Sequence, residues 1–284
     1  MFNKLLLVFR YILFIIACCY VTTSCNQVNN QKIVDNATTD SLVSNQNFDN
    51  REDEDDHEFY ENNFRNYSYQ GINIFQKMGY TQSDYTKEIF HIMDTIIGLF
   101  KTGNTYSLKQ CWIEKVNVYE NECTGGIQIE PTLNTKNTPL FLFRGFKHYN
   151  QNIAIDTIPA NLKLWTGKKE DFIFNNVSYQ LRAEGTVLEK MNEGTEMYYE
   201  NIKNYKLYLT SGNKTQCIVE MKKFNDTMTR ICWIGDIDGD GKPDFIISSP
   251  EWYEDYRILL FLSSYADSNE LVKLVSITVD SFAC

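Results

Sequence analysis

The residues best placed to do chemistry lie between Gly235 and Asp244. Asp236, Asp238, Asp240 and Asp244 set four carboxylates at positions 1, 3, 5 and 9 of one short run. Two such charges about 4 Å apart repel by roughly 4 kcal/mol at an effective dielectric of 20. A chain keeps this arrangement by fanning the groups into water or by closing them around a cation. The donors are hard oxygens, with no His or Cys inside the run. Such a set suits Ca²⁺. Gly241, at position 6, can take a backbone turn that a side chain would resist. Lys242, at position 7, is expected to ligate through its backbone carbonyl while its ammonium points outward. The expected ligands are therefore Asp236, Asp238, Asp240, Lys242 and Asp244. The competing reading is a solvated acidic turn.

Apolar residues flank the run. Ile231, Trp233 and Ile234 precede it, and Phe245, Ile246 and Ile247 follow, so the loop is expected to join two strands. The pattern Asp-x-Asp-x-Asp-Gly-x-x-Asp between strands resembles the calcium loop of FG-GAP/VCBS-type repeats, as in integrin-like β-propellers. It departs from an EF-hand, because position 12 is Ile247 and Pro243 blocks a following helix. The motif occurs once, and no copy recurs at any period, so a multi-blade propeller is not expected. The ion's expected role is to lock a strand-to-strand corner.

The rest of the body reads as mainly β. Phe172–Phe174, Asn175-Asn176 and Val177–Ala183 form the clearest hairpin, since Asn tolerates the positive φ of a type I′ turn. Tyr205–Thr210 and Thr215–Met221 form another around Ser211-Gly212-Asn213-Lys214. Ile96–Phe100 and Thr105–Leu108 form a third around Thr102-Gly103-Asn104. Strands are also expected at Trp112–Tyr119, Leu140–Phe143, Ile153–Ile155, Thr229–Ile234, Phe245–Ser248, Arg257–Ser263 and Leu271–Val279. A short helix or loop is expected up to about Met93, with a capping box over Thr81–Asp84. Many short strands with turn signals predict antiparallel sheets, arranged as a sandwich, a barrel or an open sheet stack. The 18 Tyr and 18 Phe suit such a pleated, half-buried surface.

The N-terminus reads as a targeting segment. Lys4 and Arg10 precede the apolar-to-small run Tyr11–Val21, then Thr22, Thr23, Ser24 and Cys25. This is export-signal architecture, too short for a comfortable membrane span. A Cys after small residues resembles a bacterial lipoprotein signal, which implies acylation at Cys25. Cys18, after Ile15-Ile16-Ala17, is the second candidate. The expected organisation is a signal peptide over 1–24, an acidic tether over 25–70 and a β-rich domain over 71–284. Asp49–Glu61 holds eight acids against Arg51, much of the formal charge of −10. That balance argues against a nucleic-acid partner, which needs clustered Lys and Arg.

Five Cys remain beyond Cys25. Cys111 with Cys123, and Cys217 with Cys232, have spacings suited to hairpin-scale disulfides, with Cys284 left over or reaching back. Cys111-Trp112 and Cys232-Trp233 share only a dipeptide with papain-like proteases, and His91 and His148 are the body's only candidate bases. No zinc-protease motif, nucleophile elbow or phosphate loop is present. The turn Pro250–Tyr256 carries three aromatics and three acids. Core packing of Trp252 and Tyr253 is favoured there over a binding patch for a glycan or protein. The expected function is a calcium-stabilised, lipid-anchored envelope protein that binds or scaffolds without catalysis. The alternative is an exported calcium-dependent hydrolase acting on glycans or peptides.

Overall fold

The computed structural model of the chain describes residues 64–146, 149, 157–158, 160–195, 198–224 and 226–281. All of them belong to one compact unit spanning residues 49–284. The signal peptide, Cys25, most of the tether, Ile153–Ile155, His148 and Cys284 lie outside the described residues.

In chain order the elements begin with β1 (Tyr67–Ser68), β2 (Asn73–Phe75), β3 (Tyr80–Thr81) and the helix α1 (Asp84–Ile89). β4 (Thr95–Thr102), β5 (Thr105–Glu120), β6 (Ile127–Leu133) and β7 (Phe141–Arg144) follow. After the short β8 (Thr157–Ile158) and β9 (Leu162–Lys163) come β10 (Lys169–Phe174), β11 (Val177–Met191), β12 (Tyr199–Ser211) and β13 (Lys214–Phe224). β14 (Arg230–Gly235), β15 (Asp244–Ser248), β16 (Asp255–Leu262) and β17 (Lys273–Ser281) complete the order.

Turn chemistry sets the first pairings. Asn175 and Asn176 both adopt positive φ, 45° and 64°, as a type I′ turn between β10 and β11 requires. The β4–β5 and β12–β13 hairpins instead put a glycine first, Gly103 at φ 60° and Gly212 at φ 58°, which is the type II′ pattern. The segments Thr105–Leu108 and Trp112–Tyr119 are one continuous strand, β5. β6 carries Pro131, whose lack of an N–H hides it as a strand in the sequence. Pro131 sits on β6 beyond the two residues that pair with β3, where the outer edge is open. The helix is capped by Ser83, one of the residues in the expected box. Its Oγ accepts from the Thr86 N–H at 3.1 Å, and Thr86 Oγ1 accepts from the Ser83 N–H at 2.8 Å.

The strands form three antiparallel sheets. One runs β1-β17-β16-β15-β14-β8, with β9 also paired to β14; one runs β10-β11-β12-β13; one runs β2-β7-β4-β5-β6-β3. The first lies between the other two. Phe245 and Ile247 of β15 and Leu259 and Phe261 of β16 pack with Leu181, Leu207 and Val219 of the four-stranded sheet. The alternate residues Ile246, Ile258, Leu260 and Leu262 pack with Ile97, Leu99, Phe141 and Phe143 of the six-stranded sheet. Successive side chains on a strand face opposite ways. A strand buried on both faces must therefore be apolar throughout, which is why Phe245–Ile247 and Ile258–Leu262 read as unbroken runs. A third cluster fills the curve of the six-stranded sheet around Phe75, Tyr80, Ile96, Cys111 and Ile113.

Three expectations are corrected. The folded unit begins before residue 71: Tyr67 and Ser68 pair with Ile277 and Ser276, and Phe64 packs on the core. The two hairpin-scale disulfides do not form, because Cys111, Cys217 and Cys232 are free thiols. Cys111 is buried in the middle of β5, whereas Cys123 follows its far end. Nine residues of strand separate the end from Cys111, about 30 Å, far beyond disulfide reach. Cys232 packs on the face of β14 turned away from the sheet that carries Cys217. Cys123 is disulfide-bonded. Finally, Trp252 and Tyr253 do not enter the core; they are 48% and 55% exposed.

Candidate metal centre

The acidic loop spans the gap between β14 and β15, whose ends are tied where Gly235 faces Asp244. The loop coils around Asp236. Its Oδ1 accepts from the N–H groups of Gly239 (2.7 Å) and Asp240 (3.0 Å), and its Oδ2 from that of Gly241 (2.9 Å). Gathering three successive N–H groups onto one carboxylate takes a left-handed backbone, supplied by Gly239 at φ 85° and Gly241 at φ 83°.

Asp236, Asp238 and Asp244 converge, each offering an oxygen within 4.8 Å of the others. Among the described residues this is the group of three ligating side chains so placed. Asp240 stands outside the trio. Its Oδ1 accepts from the Lys242 N–H at 2.8 Å and from Ser263 Oγ at 2.9 Å, and its Oδ2 lies 3.7 Å from the Lys242 ammonium. The Lys242 side chain is largely exposed.

Asp244 is fully buried. Its Oδ2 accepts from the Ile237 N–H at 2.7 Å, and its Oδ1 from the Ser263 N–H at 2.8 Å and the Ser263 hydroxyl at 3.0 Å. These partners are all neutral, so the charge itself is unbalanced. Burial first, and then the neighbouring Asp238, hold the Asp244 carboxyl well above the usual carboxylate range. Burial also pushes Asp238 up, against the help of a hydrogen bond from Ser264 Oγ. A trio of acids, one fully buried and two half-buried, without an adjacent cation is costly when ionised. An all-oxygen set with three convergent carboxylates fits Ca²⁺, which takes six to eight such ligands, water included.

Three contributors escape a sequence reading. Ser263 and Ser264, just past β16, hold Asp240, Asp244 and Asp238 from outside the loop. Asn175, at the tip of the β10–β11 hairpin, donates from Nδ2 to the Gly241 carbonyl at 2.7 Å. None lies near the loop in sequence; strand pairing of β15 with β16 and packing of the two sheets bring them there. Asp255 is at the opposite end of β16 from Ser263, and its Oδ2 accepts from the Trp252 N–H at 3.2 Å, so it adds nothing to this site.

Compared with known protein families, curated proteins and solved structures, the chain matches none. The fold is thus defined on its own terms: three stacked antiparallel β layers with one acidic loop at a strand-to-strand corner.

Proposed function

We propose that this chain is an exported, lipid-anchored envelope protein whose β domain is stabilised by Ca²⁺ and serves as a non-catalytic binding or structural module. One observation carries the metal reading: Asp236, Asp238 and the fully buried Asp244 aim their oxygens at a common centre with no cation among Asp244's hydrogen-bond partners. A divalent ion there removes the repulsion and clamps β14, β15 and the end of β16 together. The N-terminal sequence, with Lys4, Arg10 and Cys25 in lipoprotein-like order, supports export and acylation. No helix among the described residues is long and apolar enough to cross a membrane.

Thermal unfolding with and without Ca²⁺ tests the metal reading. Affinities of extracellular modules, on the order of 10⁻⁴ to 10⁻³ M, give about 1.4–2.7 kcal/mol at about 10 mM Ca²⁺. An unchanged midpoint on adding EDTA and then excess Ca²⁺ sinks it. Membrane fractionation of Cys25→Ser tests the anchor: release into the soluble fraction is expected, and continued membrane retention counts against it.

A further inference from the structure

We propose that the cleft between α1, β1 and the end of β7 binds a neutral saccharide, whose hydroxyls meet Arg144, Asp94, Asn66 and Ser68. This names a ligand for the binding-module reading above and rests on that reading. The cleft has a volume of about 520 Å³, inside the range of about 300–1,000 Å³ for small-molecule sites. Its wall is drawn from β1, the turn that follows it, α1, the start of β4 and the end of β7. Tight backbone fixes that wall. Left-handed residues border it at Gln70 (φ 53°), Gly71 (φ 78°), Met93 (φ 69°) and Gly145 (φ 82°). Gly145 packs directly on the Gly71 carbonyl, with no room for a side chain between them. Backbone held in such sparsely populated regions gathers at ligand clamps.

The lining chemistry selects the occupant. Arg144 is held in place: its Nη1 donates to the Glu88 carbonyl at 2.5 Å, and its Nη2 lies 3.0 Å from Asp94 Oδ2. Those contacts use at most two of the guanidinium N–H groups and leave Asp94 Oδ1 open. Asn66 Oδ1 is taken by the Val279 N–H at 2.9 Å, so its amide donors remain free. The Ser68 and Thr95 hydroxyls, also on the wall, have no hydrogen-bond partner among the described residues. Donors and acceptors thus stand side by side, and a sugar hydroxyl, which both donates and accepts, answers either. Tyr85 and Ile89 add an apolar patch for the C–H face of a sugar ring. The Tyr85 hydroxyl donates to Asn73 Oδ1 at 3.2 Å, which fixes the ring. Charge disfavours an anion, because Asp94 already balances Arg144 and the Glu88 carboxylate stands beside them. A cation would gain only Glu88, which is exposed and screened by water. β1 is three strands from β15, about 14 Å across the sheet, so the cleft is separate from the metal loop.

The test screens the full chain, in Ca²⁺, against neutral oligosaccharides of glucose, mannose, galactose and N-acetylglucosamine by ligand-observed NMR, with calorimetry on those that bind. Acetylated Gly-Lys and Gly-Glu repeat peptides serve as charged comparisons. At least one oligosaccharide should bind, with Kd on the order of 1 mM and little response to salt. Asn66→Asp keeps the bond to the Val279 N–H and removes the amide donors, and Ser68→Ala removes a hydroxyl that the fold does not use. Each should weaken binding about threefold to fivefold with the thermal midpoint unchanged, and Arg144→Lys, which loses the planar fork, about tenfold. Failure of every oligosaccharide to bind overturns the proposal. So does equal affinity in all three variants, or binding of a charged peptide alone. Such a failure with the calcium-induced rise in midpoint intact counts against this ligand alone. Loss of that rise with saccharide binding intact counts against the metal reading alone. Shortened oligosaccharide products would uphold the ligand and overturn the non-catalytic reading, with Glu88 and Asp94 as the acids in the cleft.

Discussion

Replacing Asp238 by Asn should reverse sign according to whether Ca²⁺ is present. The amide keeps the shape of the carboxylate and both of its contacts: its oxygen can accept from the Asp240 N–H, and its NH₂ can donate to Ser264 Oγ. What changes is one charge. With oxygens within 4.8 Å of both Asp236 and Asp244, each charge pair costs about 3 kcal/mol at an effective dielectric of 20. Asp238 is half-buried, and screening by water brings the net relief to about 1–2 kcal/mol. For a folded body of this size that is a rise in thermal midpoint of about 3–6 °C in EDTA. In excess Ca²⁺ the same variant has lost a ligand and should show little of the wild-type gain. Paired melts in EDTA and in Ca²⁺, followed by circular dichroism, read both arms. A variant less stable than wild type in EDTA refutes the account of repelling charges, and one that keeps the full calcium gain refutes the ligand assignment.

Acidification should act on the same groups. Burial raises Asp238 and Asp244, so the folded state holds their protons more tightly than the unfolded chain does. Their ionisation penalty is therefore full above their folded-state values, shrinks as pH falls through them, and vanishes near the ordinary carboxylate value of about 3.9. The EDTA midpoints of wild type and Asp238→Asn should converge as pH falls over that window, and the calcium gain should shrink with them; constant separation down to pH 4 would contradict this. Asn175→Ala removes the amide on the Gly241 carbonyl and should weaken Ca²⁺ a few-fold by calorimetry, through loss of about 1 kcal/mol of loop order. Gly145→Ala should be severe, costing at least about 2 kcal/mol in chemical denaturation. Gly145 has φ 82°, and an added Cβ would meet the Gly71 carbonyl oxygen at 2.2 Å. Alkylation followed by mass spectrometry should mark Cys217, which is exposed, well before Cys111, which is buried and whose thiol burial pushes up to about 11.

Much of the secondary structure was legible because it is chosen locally. Asn175-Asn176, Gly103 and Gly212 name their turns through the φ values they permit, and the strands on either side follow. Pro131 misleads for the same local reason: a missing N–H argues against a strand unless the edge it faces is open. The disulfide expectation failed because sequence spacing says nothing about which face of a strand a thiol takes, nor how long that strand runs. Cys232 and Cys217 lie on opposite sides of a core, and sixteen-residue β5 carries Cys111 away from Cys123. The turn at Trp252 misled because aromatic residues favour burial on average, and the average does not see that β15 and β16 have already filled both faces before the turn begins.

The acidic loop divides between the two levels of description. Its own residues determine the coil around Asp236, since the glycines and the short polar side chains close it through bonds of five residues' reach or less. Only the tertiary structure decides that Asp244 is buried, that Ser263 and Ser264 hold three of the acids, and that Asn175 touches the loop from another sheet. Those relations depend on a stack of three layers. An unbroken apolar strand announces that both of its faces are covered, but not by what, because burial is non-directional and the identity of the covering surface is settled only when the whole chain packs.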